Sequence, residues 1–204
     1  PNAVGLFEYS HSMPIDKAWN MIQKVLESLE SSIYQINVRP ADAKTIRQYI
    51  EKKVTHNIEV IKSAKRIKAL QQYDYVIING VKYKNLNYYQ NYLSPDYLYK
   101  IFQNDTYATI HGDLTIENII CTRDENGNDD FYIIDPNTGN LHDSPNLDYG
   151  KLLQSIHGGY EFLMTTKEIN VSENKINFLF TKSSTYIELH NRLREYMQIT
   201  LGFE

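Results

Sequence analysis

The stretch ATIHGDLTIENIICT, residues 108–122, decides how the chain is read. His111, Gly112 and Asp113 stand in a row, Asn118 follows Asp113 by five positions, and strand-prone residues run in and out on either side. Downstream, FYIID (131–135) is a second strand-like run ending in a carboxylate, Asp135, and the polar segment RDENGNDD between the two runs makes them a hairpin. A carboxylate beside a hydroxyl can position it and take its proton. Oxygen ligands such as Asn and Asp side chains suit a hard cation such as Mg²⁺. A loop that presents Asp113 and Asn118, with Asp135 on the next hairpin, can therefore supply a base and two metal ligands.

The surrounding chain reads as mostly helical. Ile15, Trp19, Ile22, Leu26, Leu29 and Ile33 recur at steps of four and three, which predicts a helix ended by Pro40 and started by Ser12 as cap with Pro14 in its first turn. A second long helix is expected from Ile46, Ile50, Val54, Ile58 and Ile61, continuing through Ile67 and Leu70. Its segment, 41–70, carries eight basic side chains against three acidic ones. Such a balance is most often a solvated face, with an anionic substrate as the sharper alternative.

Asn79-Gly80 between β-prone runs predicts a first hairpin. Ser94, Pro95 and Asp96 open another helix. The segment NLDYGKLLQSIHGGYEFL forms an apolar helix with Asp148 near its start, as an N-cap. INFLF (176–180) is a candidate strand, and Ile187, Leu189, Leu193 and Met197 mark a last helix. The fold class is α+β, mainly helical with two small hairpins.

Composition narrows the function. The chain has 204 residues, 42% of them hydrophobic, and a net charge of −4, which argues against nucleic acid as the partner. Its single cysteine, Cys121, excludes an internal disulfide and a cysteine-ligated zinc site, and reads as a buried strand residue in a reducing compartment. No apolar run reaches the length of a membrane span, and a cytoplasmic location is expected.

The loop resembles the catalytic loop of the aminoglycoside phosphotransferase and choline kinase group within the protein-kinase-like fold, where His-Gly-Asp or His-Asn-Asp replaces the protein kinases' His-Arg-Asp. YIIDPN stands where that family has its metal-binding Asp, and Asp148 in NLDYGKLL matches the Asp opening the next buried helix. The resemblance implies a large, C-terminal lobe that phosphorylates a small hydroxyl compound with ATP and Mg²⁺. Asp113 would be the base, Asn118 and Asp135 the Mg²⁺ ligands, and His111 and Asp148 braces of the loop.

The wording is similar to a bacterial branch associated with capsule or surface-sugar loci. Residues 1–12, read as apolar and extended from Gly5 onward, would be a hinge remnant whose backbone at Phe7, Glu8 and Tyr9 meets the adenine. Residues 13–93 would be a helical substrate-binding insert, and 94–204 the catalytic core.

Two other readings stand beside this one. None of the nine glycines forms a Gly-x-Gly, and no strand lysine precedes the first long helix. This is expected of a chain beginning at the hinge, without its N-terminal lobe and by itself inactive; the alternative is a kinase-like module that binds a nucleotide or partner without turnover. His142-Asp143 is the kind of pair used by metal-dependent phosphohydrolases, although His142 is expected in a loop rather than on a helix. The tyrosine-rich YKNLNYYQNY could stack on a sugar or base, but packing is the expected role. The acceptor and the oligomeric state are not legible.

Overall fold

A computed structural model describes residues 3–181 and 183–202. The chain is α+β and forms two compact units. The first consists of residues 1–39, 107–164 and 181–204, the second of residues 40–106 and 165–180. These units cut across the boundaries expected at residues 12 and 93, because the hairpin at 169–178 joins the earlier segment through strand pairing. Among the described residues no helix is long and apolar enough to cross a membrane.

In the first unit, Ile119–Arg123 and Asp129–Ile133 form the antiparallel hairpin read from the sequence. Its turn is built by Asp124, whose carboxylate accepts from the Asn126 and Asn128 backbone and from the Asn128 side chain. Val4–Gly5 adds a third strand, pairing with Cys121 and Ile120. The segment after it is not extended as expected. Leu6–Ser12 is a helix, and Ser12 ends it rather than capping the next one. The long helix runs Ile15–Ser31 with Pro14 at its N-cap.

Its buried face is Ala18, Met21, Ile22, Val25, Leu26 and Leu29, a stripe of the expected period centred nearer Met21 and Val25. Ile33 is exposed in a 3₁₀ turn, since the helix ends at Ser31, well before Pro40 could break it. This helix packs with Pro145–Ile156 and Ser184–Thr200 around a core that includes Leu114, Ile116, Ile119 and Cys121, so the candidate loop is anchored by apolar residues of its own sequence. Cys121 is buried as expected, and burial pushes its thiol up to about 12. Ile187, expected on the apolar face of the last helix, is exposed; Leu189 and Leu193 carry the packing.

The last helix also stacks His190 on His157, with ring centroids 4.3 Å apart. Burial, with His157 and Arg194 adding repulsion, holds His190 below its ordinary value of 6.5. Below pH 6.5 the unfolded chain takes up a proton that the folded chain resists. Stability is therefore complete above that value and declines as pH falls towards the lowered folded value. Thermal melts between pH 7.5 and 5.5 should show a decline that His190→Gln reduces; equal slopes would refute this account.

In the second unit, Asp42 caps Ala43–Tyr49 by accepting from the backbone N–H of Lys44 and Thr45. The helical path then widens to a π turn over Ile50–Thr55, continues as His56–Ser63, and breaks at Ala64 before Lys65–Leu70. One uninterrupted helix was expected. The wide turn adds a residue and rotates the apolar stripe, so Ile46 and Ile50 are buried while Ile61 is exposed. The Asn-Gly hairpin forms as read, Tyr75–Ile78 against Val81–Lys84, with Asn79 and Gly80 at φ 48° and 83°.

Ser94 caps Pro95–Phe102 as expected. The strand expected at 176–180 is Lys175–Phe178. It belongs to a hairpin with Ile169–Ser172 that the sequence did not announce, in a four-stranded sheet with the first hairpin. Tyr83, Tyr88, Tyr89 and Tyr92 are exposed and pack at the surface rather than in the core; Tyr88 and Tyr89 meet edge to face, and the Lys84 ammonium lies over Tyr88.

Candidate active site

All residues of the His-Gly-Asp loop, Asn118, Asp135 and Asp148 belong to the first unit. Asp148, on the first turn of Pro145–Ile156, is fully buried and reaches back to the loop. Its Oδ2 accepts from the His111 N–H at 2.9 Å and from the Tyr34 hydroxyl at 3.0 Å, and its Oδ1 accepts from the Gly112 N–H at 2.7 Å. It is not the N-cap expected from the sequence. Ser144 fills that role by accepting from the Asn146 N–H, which leaves Asp148 for the loop. Burial pushes the Asp148 carboxyl up from the ordinary range, while the His111 and Gly112 N–H groups pull the other way. Burial beside Asp148 likewise raises the Tyr34 phenol.

His111 is a brace, not a ligand. Its Nδ1 is 3.3 Å from the Asp113 N–H, so it accepts there, and its Nε2–H donates to the Ile134 carbonyl at 2.8 Å. The neutral Nε2–H tautomer satisfies both contacts. The His111 carbonyl accepts from Asn137 N–H at 2.8 Å, tying the loop again to the segment after the hairpin.

Gly112 has φ 81°, and a Cβ there would lie 1.9 Å from Asn140 Nδ2 and 2.7 Å from the Asn137 carbonyl oxygen. The Asn140 amide is itself tied to that carbonyl at 2.7 Å. Gly112→Ala must combine left-handed backbone strain with displacement of backbone, and should cost at least about 2 kcal/mol. Urea denaturation checks this; a loss below about 0.5 kcal/mol would contradict it.

Asp113 is half-buried. Asn118 Nδ2 donates to its backbone carbonyl at 2.8 Å and approaches its Oδ2 at 3.5 Å, which closes the five-residue loop on itself. The Ile116 N–H donates to Ser155 Oγ at 3.1 Å, fixing the loop to the face of the helix that carries Asp148. Lys151, three residues after Asp148, places its ammonium 3.0 Å from Asp113 Oδ1. Asp135 directly follows Ile134, whose N–H donates to the Asn118 carbonyl at 3.0 Å and whose carbonyl holds His111. Asp135 itself is exposed and adopts φ 55°, a left-handed conformation that a non-glycine residue holds at a cost of order 1–3 kcal/mol and that concentrates at functional sites.

The sequence reading thus brings His111, Asp113, Asn118 and Asp148 into one bonded cluster, with the Asp135 backbone at its edge. It missed Lys151, Ser155 and Tyr34. The first two had a signal, because Asp148, Lys151 and Ser155 are spaced three and four apart and share a helix face. Tyr34 lies beyond the end of its helix and has none.

Phe7, Glu8 and Tyr9 do not form the extended hinge expected of them. They lie within the Leu6–Ser12 helix, where the Phe7 carbonyl accepts from Ser10 Oγ and the Tyr9 carbonyl accepts from the Met13 N–H; the Tyr9 side chain is buried. A helical backbone turns its carbonyls along its axis and offers no strand edge to a base.

The His142-Asp143 pair is structural: His142 is buried with Nδ1 3.0 Å from the Tyr107 hydroxyl, and Asp143 pairs with Arg39 at 3.2 Å. Among the described residues no three His, Cys, Asp or Glu side chains cluster to hold a metal by themselves. No family model matches the chain, and no curated protein or solved structure matches it significantly.

Proposed function

We propose that the chain is the large lobe of a protein-kinase-like phosphotransferase that moves a phosphoryl group from a nucleoside triphosphate to a hydroxyl of a small molecule, such as a sugar or amino alcohol. The observation that carries this reading is the fixing of the Asp113 loop from both sides. Asp148 holds the backbone of His111 and Gly112, and Asn118 holds the carbonyl of Asp113. Phosphoryl transfer asks a protein mainly for positioning and charge stabilisation, and a carboxylate so held is positioned.

In the reaction, an acceptor hydroxyl set against Asp113 loses its proton to that carboxylate. A bond forms from its oxygen to the terminal phosphorus, and the bond from phosphorus to the nucleoside diphosphate breaks. Asn118, whose Nδ2 is committed to Asp113, has Oδ1 left for a cation, and Asp135 adds a carboxylate. Two oxygen ligands without an all-protein cage match Mg²⁺, which is usually held by one or two protein oxygens plus phosphates and water. When bound, Mg²⁺ neutralises charge on the phosphates. His111 and Asp148 are positioning residues.

Calorimetry with Mg-ATP, followed by a transfer screen against sugars, amino alcohols and nucleosides, tests the reading. Magnesium-dependent nucleotide binding with phosphorylation of a small hydroxyl compound is the expected result where a nucleotide-clamping lobe accompanies this large lobe; the large lobe by itself is expected to bind Mg-ATP weakly and to turn it over slowly. Binding without transfer to any acceptor would favour the nucleotide-binding module, consistent with the absence of Gly-x-Gly from the sequence. No binding would overturn both.

A further inference from the structure

Asp113 and Lys151 reach one another from different elements. Lys151 stands on the same face of the Pro145–Ile156 helix as Asp148, one turn later, so the residue that clamps the loop backbone also sets where the ammonium falls. The two side chains remain 33% and 40% exposed, so their contact contributes little to stability and is open to solvent on one side. An ammonium has three N–H donors. One is used on Asp113 Oδ1, and the geometry leaves the others able to meet an anion that approaches the same carboxylate.

The site needs such a cation. Asp113, Asp135 and a polyphosphate would otherwise bring negative charges together. Resting on the phosphotransferase reading above, we propose that Lys151 binds the terminal, transferring phosphoryl group of the nucleotide while holding Asp113 in place for the acceptor hydroxyl. As the oxygen–phosphorus bond to the acceptor forms and the bond to the nucleoside diphosphate breaks, the acceptor proton passes to Asp113. Lys151 keeps its own proton throughout and stabilises charge on the phosphoryl oxygens. The proposal is specific about which phosphate is touched: a diphosphate lacks the group that Lys151 would meet.

The test is calorimetry on the full chain with Mg-AMPPNP, an uncleaved triphosphate analogue, and with Mg-ADP. Lys151→Met should weaken Mg-AMPPNP by about tenfold or more, the worth of one charge-assisted bond. Its affinity for Mg-ADP should stay within about twofold, and Lys151→Arg should recover most of the loss. Because Lys151 is partly exposed, both variants should melt like the wild type; Lys151→Gln serves as a second neutral variant if Lys151→Met does not fold. Wild-type binding that Lys151→Met leaves unchanged, or weakens equally for both nucleotides, overturns the role of Lys151 and leaves the phosphotransferase reading standing. Failure of the wild type to bind either nucleotide overturns the phosphotransferase reading, and this inference with it.

Discussion

Asp113→Ala is expected to lower turnover by about 10²–10⁴-fold while leaving the fold intact, the usual worth of a positioned general base. The two halves of this expectation come from different contacts. The carboxylate is half-buried, and both partners of its one described ion pair, with Lys151, are partly exposed. Its removal therefore costs only about 0–1 kcal/mol. The backbone of the residue, by contrast, holds the loop: its carbonyl accepts from Asn118 and from the Thr115 N–H, and its own N–H points to His111. Alanine keeps all of these. Steady-state rates with the best acceptor, alongside a thermal melt, make the comparison. A rate within a few-fold of wild type would remove Asp113 from the chemistry, and a collapsed melt would mean the carboxylate is structural instead.

Asp148→Ala should do the reverse, with a loss of about 3–5 kcal/mol of stability. Three donors converge on this fully buried carboxylate: the N–H groups of His111 and Gly112, and the Tyr34 hydroxyl. Each buried donor left unpaired costs about 1–3 kcal/mol, and total stabilities of single domains are only about 5–15 kcal/mol. Asp148→Asn should be milder, since one amide oxygen still accepts while the NH₂ meets a donor. Urea denaturation of the three proteins gives the values. A loss below about 1 kcal/mol for the alanine variant would show that water or a rearranged loop replaces the carboxylate.

The sequence disclosed what short patterns determine. Asn79-Gly80 set a hairpin because two adjacent residues must take positive φ there; Ser94-Pro95 set a helix start because the cap and the missing N–H act within one turn. The spacing of Asp113 and Asn118 was legible for the same reason, the amide reaching a carbonyl five residues back.

What was hidden depends on partners distant in the chain. Read from its local sequence, Asp148 looked like a cap because a carboxylate near a helix start usually is one; its bracing of the loop 36 residues earlier was expected only from the family resemblance. Leu6–Ser12 looked extended because its apolar residues serve a three-dimensional core rather than a strand face. The rotation of the Ile50–Thr55 turn, which exposes Ile61, has no marker among its side chains. Lys151 was passed over because a lysine on a helix is ordinarily a solvated one.

The division of the chain into interleaved segments carries a consequence for how it comes to be folded during synthesis. Val4–Gly5 pairs with Ile120 and Cys121, and Ile77 and Ile78 pair in parallel with Lys175 and Ile176, each across roughly a hundred residues of intervening polypeptide. The Ser184–Thr200 helix, which supplies Tyr186, Leu189 and Leu193 to the core of the first unit, emerges from the ribosome after every other described element of that unit. Neither unit can therefore close before its last segment has emerged. The nascent chain must wait with Val4–Gly5 unpaired and with the apolar stripe of the Ile15–Ser31 helix short of its final cover. Loop closure over such spans is entropically slow and leaves sticky surface exposed meanwhile. The interleaving of segments that steadies Asp113 in the finished protein thus makes the closure of each unit a late event in its synthesis.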